Sequence, residues 1–176
     1  MAAPKALQLA TISDPNTAVG VATRLMMSHP AFARQPFGEW ARVLDGQARR
    51  GHQVFVLDAS HNAVGFFGYA LTTEEAGMAW AAGKRSPSYE ECLDGDCLIF
   101  NAWIAPNSEV LRFMWAAFRR LARGKKAVFY KRFYDDGSVR PGRLTITDAI
   151  VGHIARSERV QQALVSVRSA ESSELI

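Results

Sequence analysis

Apolar residues recur at helical spacing in the first quarter of the chain and then give way to the tighter patterns of strands. Asp14-Pro15-Asn16-Thr17 reads as a helix start, followed by Val19, Val21, Leu25 and Met26. That helix should stop before Pro30, because the residue preceding a proline disfavours the α conformation. A second helix is predicted from about Pro36 to Arg50, burying Phe37, Trp40, Val43 and Leu44 and ending at Gly51. Gln53 to Asp58 then reads as a strand, Ser60-His61-Asn62 as a turn and Val64 to Leu71 as a second strand, together an antiparallel hairpin. Thr72 or Thr73 caps a short helix running through Trp80, and residues 84 to 96 form a polar loop. Cys97 to Ala105 is almost wholly apolar, the pattern of a strand covered on both faces. Pro106-Asn107-Ser108-Glu109 opens a helix to about Arg123 that carries Val110, Leu111, Met114, Trp115, Phe118 and Leu121 on one side. Lys126 to Tyr134 returns as a strand, Asp135-Asp136-Gly137 turns, and a last strand and helix follow from Leu144, the helix at about 148–170.

This order predicts an α/β (α+β) class, a mixed sheet flanked by helices in a single domain. The length of 176 residues is enough for one well-buried core, and 48% hydrophobic with 22% charged residues is the balance of a globular chain. No apolar run approaches the ~20 residues that span a bilayer, and Met1 to Ala10 lacks the apolar core of a secretory signal, so a cytoplasmic protein is expected. Cys92 and Cys97 are then expected as reduced thiols, and zinc is not expected, because His52, His61 and His153 have no ligand spacing to them.

The net charge of +4 is unevenly placed. Arg112, Arg119, Arg120, Arg123, Lys125, Lys126, Lys131, Arg132, Arg140 and Arg143 fall in one stretch, opposed only by Asp135 and Asp136. Such a run is either a solvated face or a surface for an acidic partner, with salt-sensitive encounter. Nucleic acid is the weaker candidate, since the stretch carries no recognised nucleic-acid-binding motif.

Gly95-Asp96, the apolar strand from Cys97, and Ala102-Trp103-Ile104-Ala105-Pro106 closely resemble the RTX toxin-activating lysine acyltransferases, whose pattern is Gly-Asp, a strand, then Asp-Trp-Ile-Ala-Pro. Upstream, Met26 to Pro36 is similar to that family's Ser-Pro-x-His-Arg-x-x-Pro segment, and Val54 to Leu57 with Ala63 to Leu71 resembles its hairpin. The resemblance runs from about Ala22 to Leu144. It implies an N-acetyltransferase-like fold, which the element order suits, transfer of a fatty acyl group from acyl-carrier protein to a lysine of an RTX-type protoxin, and a homodimer. No tightly bound cofactor is implied, the donor's phosphopantetheine being the carrier of the acyl group. Acyl-carrier protein is acidic, which gives the basic run a partner. The glycine-rich pyrophosphate loop of coenzyme A-dependent acetyltransferases is missing after the central strand, consistent with a carrier-protein donor.

Two departures bear on chemistry. The resemblance puts the catalytic histidine at Phe32 and the catalytic aspartate at Ala102, and neither side chain accepts a proton. A lysine ammonium must lose a proton before it attacks a thioester, and a positioned base contributes ~10²–10⁴-fold. His29, three residues away, is the candidate replacement base. Asn101, which can hydrogen-bond but takes no proton, and Asp96, which could equally fix a turn, are further catalytic candidates, although strand alternation would turn Asn101 and Ala102 to opposite faces. Trp103 is expected beside an acyl or pantetheine channel, Asn107 and Ser108 beside phosphopantetheine at a helix N-terminus, and Arg119, Arg120 and Arg123 on the carrier protein. The thioester and the amine would meet beside the end of the strand at Ala105. Three activities compete: a protein-lysine acyltransferase, a catalytically inactive binding or scaffold protein that keeps the fold and the partner surface, and a small-molecule N- or O-acyltransferase.

Overall fold

The computed structural model describes residues 7–33, 35–134, 136–147 and 152. The chain divides into two compact units, Met1–Thr145 and Ile146–Ile176. The predicted C-terminal helix at 148–170 lies outside the described residues apart from position 152.

The elements of the first unit are β1 (Gln8–Ala10), α1 (Pro15–Met27), α2 (Pro30–Ala33), α3 (Phe37–Arg50), β2 (Gln53–Leu57), β3 (Ala63–Thr72), α4 (Glu74–Ala81), β4 (Cys97–Ile104), α5 (Ser108–Ala122), β5 (Ala127–Phe133) and β6 (Val139–Thr145). The starts follow local chemistry. Asp14 caps α1 by accepting from the Thr17 amide at 2.6 Å, Thr73 caps α4 through the Ala76 amide at 3.3 Å, and Asn107 caps α5 through the Val110 amide at 2.9 Å. Gly51, in the left-handed region at φ 69°, ends α3 where a side chain would be strained.

The six strands lie in the order β1-β2-β3-β4-β5-β6. All neighbours are antiparallel except β4 and β5, which run parallel and are joined through α5. Because successive strand residues face opposite ways, each face of the sheet has its own core. Phe55, Phe66, Ala102 and Ile104 pack with α1 and α3 through Ala18, Ala22, Met26, Leu44 and Ala48. Val56 and Phe67 pack on the other face with Val110, Met114 and Ala117 of α5. Phe55, Phe66 and Phe67 are almost completely buried, each contributing about 1.5–3 kcal/mol. The expected mixed sheet flanked by helices is what the chain forms.

Three expectations change. Phe37 is 71% exposed at the first position of α3, while Gln47 of the same helix is fully buried. Leu111 and Trp115 remain partly exposed on α5. The basic run is not one face: Arg132 and Arg140, paired across β5 and β6, both approach the Tyr134 ring, while Lys131 lies over Trp80 and Arg143 bonds Glu74. A strand hairpin sends alternate cations to opposite sides.

Candidate functional site

The parallel pairing of β4 and β5 runs from Cys97 opposite Ala127 to Phe100 opposite Tyr130 and ends there, although both strands continue. The strands therefore part at Asn101 and Lys131. On the other side of β4, Tyr69 pairs with Phe100 and Gly68 with Ala102, so Asn101 is an inserted residue, a β-bulge. The bulge overturns the expected alternation. Asn101 lines a cleft on the side of α3 and α4, and Ala102 is buried on that same side in the core under α1 and α3.

The cleft has a volume of about 1020 Å³ and is half open to solvent, at the upper end of the range for ligand sites. Its floor is Ala70, Ile99, Asn101, Lys131 and Phe133. One wall is α3, through Glu39, Trp40, Val43 and Arg50. The other is the end of α4 and the following loop, through Trp80 and Tyr89. That loop is held by Arg85, whose guanidinium meets both oxygens of Glu91 at 2.6 and 2.7 Å, while the Ser88 amide donates to Glu91 at 2.8 Å. Together these hold the Glu91 carboxyl down to about 2. Aromatic rings thus alternate with cations: the Arg50 guanidinium lies 4.9 Å from the Tyr89 ring centre, and Lys131 Nζ 4.6 Å from that of Trp80. Burial pulls the Lys131 ammonium below the ordinary lysine range. Among the described residues, Asn101 Oδ1 and Arg50 Nε are buried without a hydrogen-bond partner.

The positions where the resemblance implies a histidine and an aspartate are brought into one cluster. Ala102 is 2% exposed there, and Phe32 packs against it. Phe32 also meets Trp40 at 5.0 Å and Phe133 at 5.9 Å between ring centres, and those two rings, unlike Phe32 itself, are in the cleft lining.

The other expected residues do not converge on the cleft, Asn101 excepted. His29 sits between α1 and α2; its Nδ1 accepts from the Ala31 amide at 3.3 Å and its ring lies 5.5 Å from that of Phe32, but it is not in the lining. Asp96 is ion-paired with Lys126, which lowers its pKa, in a shallow surface depression apart from the cleft. Exposed on both sides, that pair is screened by solvent and adds little to stability. Trp103 is stacked on Phe67 at 5.6 Å and touches Trp115 and Phe118, inside the aromatic cluster under α5. Asn107 acts as the α5 cap, and Ser108 is the exposed first residue of that helix. Arg119 and Arg120 lie in the last turn of α5 and Arg123 at its end. The cleft meets β4 at Ile99 and Asn101, not at Ala105. Sequence reading missed Glu39, Arg50, Trp80 and Tyr89, which no motif marks, and counted Lys131 only within the basic run.

No family model matches this chain, and no curated protein matches it. Among solved structures it is similar to a protein described as a GNAT-family acetyltransferase from Desulfovibrio desulfuricans, with 16% identity, 72% of this chain and 73% of that chain covered, and a TM-score of 0.43. It is similar also to the loading GNATL domain of CurA from Lyngbya majuscula, with 15% identity, 76% of this chain and 69% of that chain covered, and a TM-score of 0.42. Likeness this distant lends no weight to an activity, so the chemistry has to come from this chain's own residues.

Proposed function

We propose that this protein binds fatty acyl thioesters delivered by acyl-carrier protein and has given up the histidine–aspartate route to lysine acylation. The observation that carries the proposal is that Phe32 and Ala102 hold the two positions where the resemblance implies a histidine and an aspartate. Both implied catalytic positions fall in one apolar cluster, where a titratable group would have to be buried. The half-open cleft beside the parted strands, with Trp40, Trp80, Tyr89 and Phe133 in its lining, supports an apolar ligand that enters from solvent. The exposed Arg120 and its neighbours Arg119 and Arg123 at the end of α5 suit an acidic carrier. A cytoplasmic setting and a homodimer belong to the same proposal.

The test pairs two measurements on purified protein with myristoyl-loaded acyl-carrier protein. Binding is titrated at low and high salt, and intact-mass spectrometry follows a lysine-bearing RTX-type protoxin fragment. The expected result is binding that weakens with salt and with charge reversal at Arg119, Arg120 and Arg123, and no repeated acylation of the fragment. Absence of binding at low salt refutes the proposal.

Repeated turnover would instead favour the second reading, a protein-lysine acyltransferase with a relocated base. One observation speaks for that reading: the Glu39 carboxylate lines the cleft. Glu39→Gln would then abolish turnover.

A further inference from the structure

Among the described lysines, Lys84, Lys125, Lys126 and Lys131, only Lys131 lines the cleft. Lys125 Nζ is tied to the Gly95 carbonyl at 2.7 Å, Lys126 pairs with Asp96, and Lys84 is exposed just after α4. Lys131 stands on β5 one residue past the last pair with β4, where the strands have parted, and shares the floor with Ile99, Asn101 and Phe133. From this placement we propose that Lys131 is itself an acyl acceptor, becoming Nε-acylated by a fatty acyl thioester bound in the cleft.

The inference rests on the thioester-binding reading above. Its chemistry needs no oxidant and no second substrate. The neutral Lys131 amine attacks the thioester carbonyl carbon, a C–N bond forms, the C–S bond breaks, and the amine proton leaves with the thiolate as free thiol. The requirement for a base is relaxed because the amine reaches its neutral form more readily in a half-buried place than in water. The Trp80 face opposes this by favouring the ammonium. Acylation removes that charge and leaves the chain's own fatty group attached to the cleft floor. The event is one turnover per molecule, so a protein without a shuttling base can still carry it out.

The experiment incubates wild type and Lys131→Arg with myristoyl-loaded acyl-carrier protein, then locates any added acyl group by peptide mapping. Arginine keeps a cation over Trp80, and thermal melting checks that the variant folds. One myristoyl group on Lys131 of the wild type, with at least tenfold less label in Lys131→Arg, is the expected result. The inference is overturned if carrier protein binds but Lys131 stays unmodified, which leaves the thioester-binding reading intact. It is also overturned if label spreads at similar rates over Lys84, Lys125 and Lys126, the outcome of uncatalysed surface acylation. If carrier protein does not bind at all, both fall together.

Discussion

His52 follows the left-handed Gly51, and its ring stacks on Tyr69 with centres 4.9 Å apart. Its Nδ1 is buried without a hydrogen-bond partner among the described residues, and burial, with Arg50 and Lys125 adding to it, brings its pKa down from 6.5 to about 4. Above about pH 6.5 the ring is neutral both folded and unfolded, and costs nothing. As pH falls from there toward about 4 the unfolded chain takes up a proton that the folded chain refuses, so stability is lost across that window. A displacement of about 2.5 units corresponds to an upper bound of about 3.4 kcal/mol. Because the ring is partly exposed, solvent screening reduces the expected effect to about 1–2 kcal/mol. His52→Phe keeps a ring on Tyr69 and cannot titrate. Denaturant unfolding of both proteins at about pH 7, 5.5 and 4 gives their difference, in which the shared carboxylates cancel. The variant should gain about 1–2 kcal/mol relative to wild type from the top to the bottom of that range. A flat difference, or one of opposite sign, would show that the ring charges freely in the folded state and refute the reasoning.

Two further predictions concern positions that carry the family resemblance. Gly95 has φ +148°, and an added Cβ would lie 2.1 Å from the Thr72 carbonyl oxygen, so Gly95→Ala should cost about 3 kcal/mol and lower Tm by about 6–12 °C; a melt within a degree of wild type contradicts the close approach. Ala102→Asp, at a site 2% exposed, should cost about 3 kcal/mol or more near neutral pH, and adding Phe32→His should recover part of it, with a coupling of about 0.5–3 kcal/mol in a double-mutant cycle. Strict additivity would mean that the two positions do not face one another.

The parts legible in the sequence were those set by a few neighbouring residues. Asp14, Thr73 and Asn107 each accept the hydrogen bond their spacing predicts, Gly51 ends α3, and the β2–β3 hairpin turns near Ser60. The site was less legible because it depends on register. Whether Asn101 points with Ala102 or against it is decided by Gly68 and Tyr69 on the neighbouring strand, which skip it. The β5–β6 pairing likewise divides a continuous basic stretch between two faces. Gln47 was invisible as a core residue because glutamine rarely is one; it is buried against Gly68, where a Cβ would come within 2.1 Å of its Oε1.

What survives of the resemblance is mostly scaffold. Gly95 permits the chain to pass against Thr72, Asp96 ties the turn to Lys126, Trp103 fills the aromatic layer under α5, and Ile104 closes the opposite core. Each would hold a strand and helix in place whether or not a reaction followed. The two positions where the resemblance implies a base and a carboxylate are occupied by Phe32 and Ala102, and both join an apolar cluster. The cleft keeps a lysine and an asparagine on its floor but no histidine in its lining. A resemblance carried by such positions therefore tracks the fold's geometry more closely than the reaction performed on it.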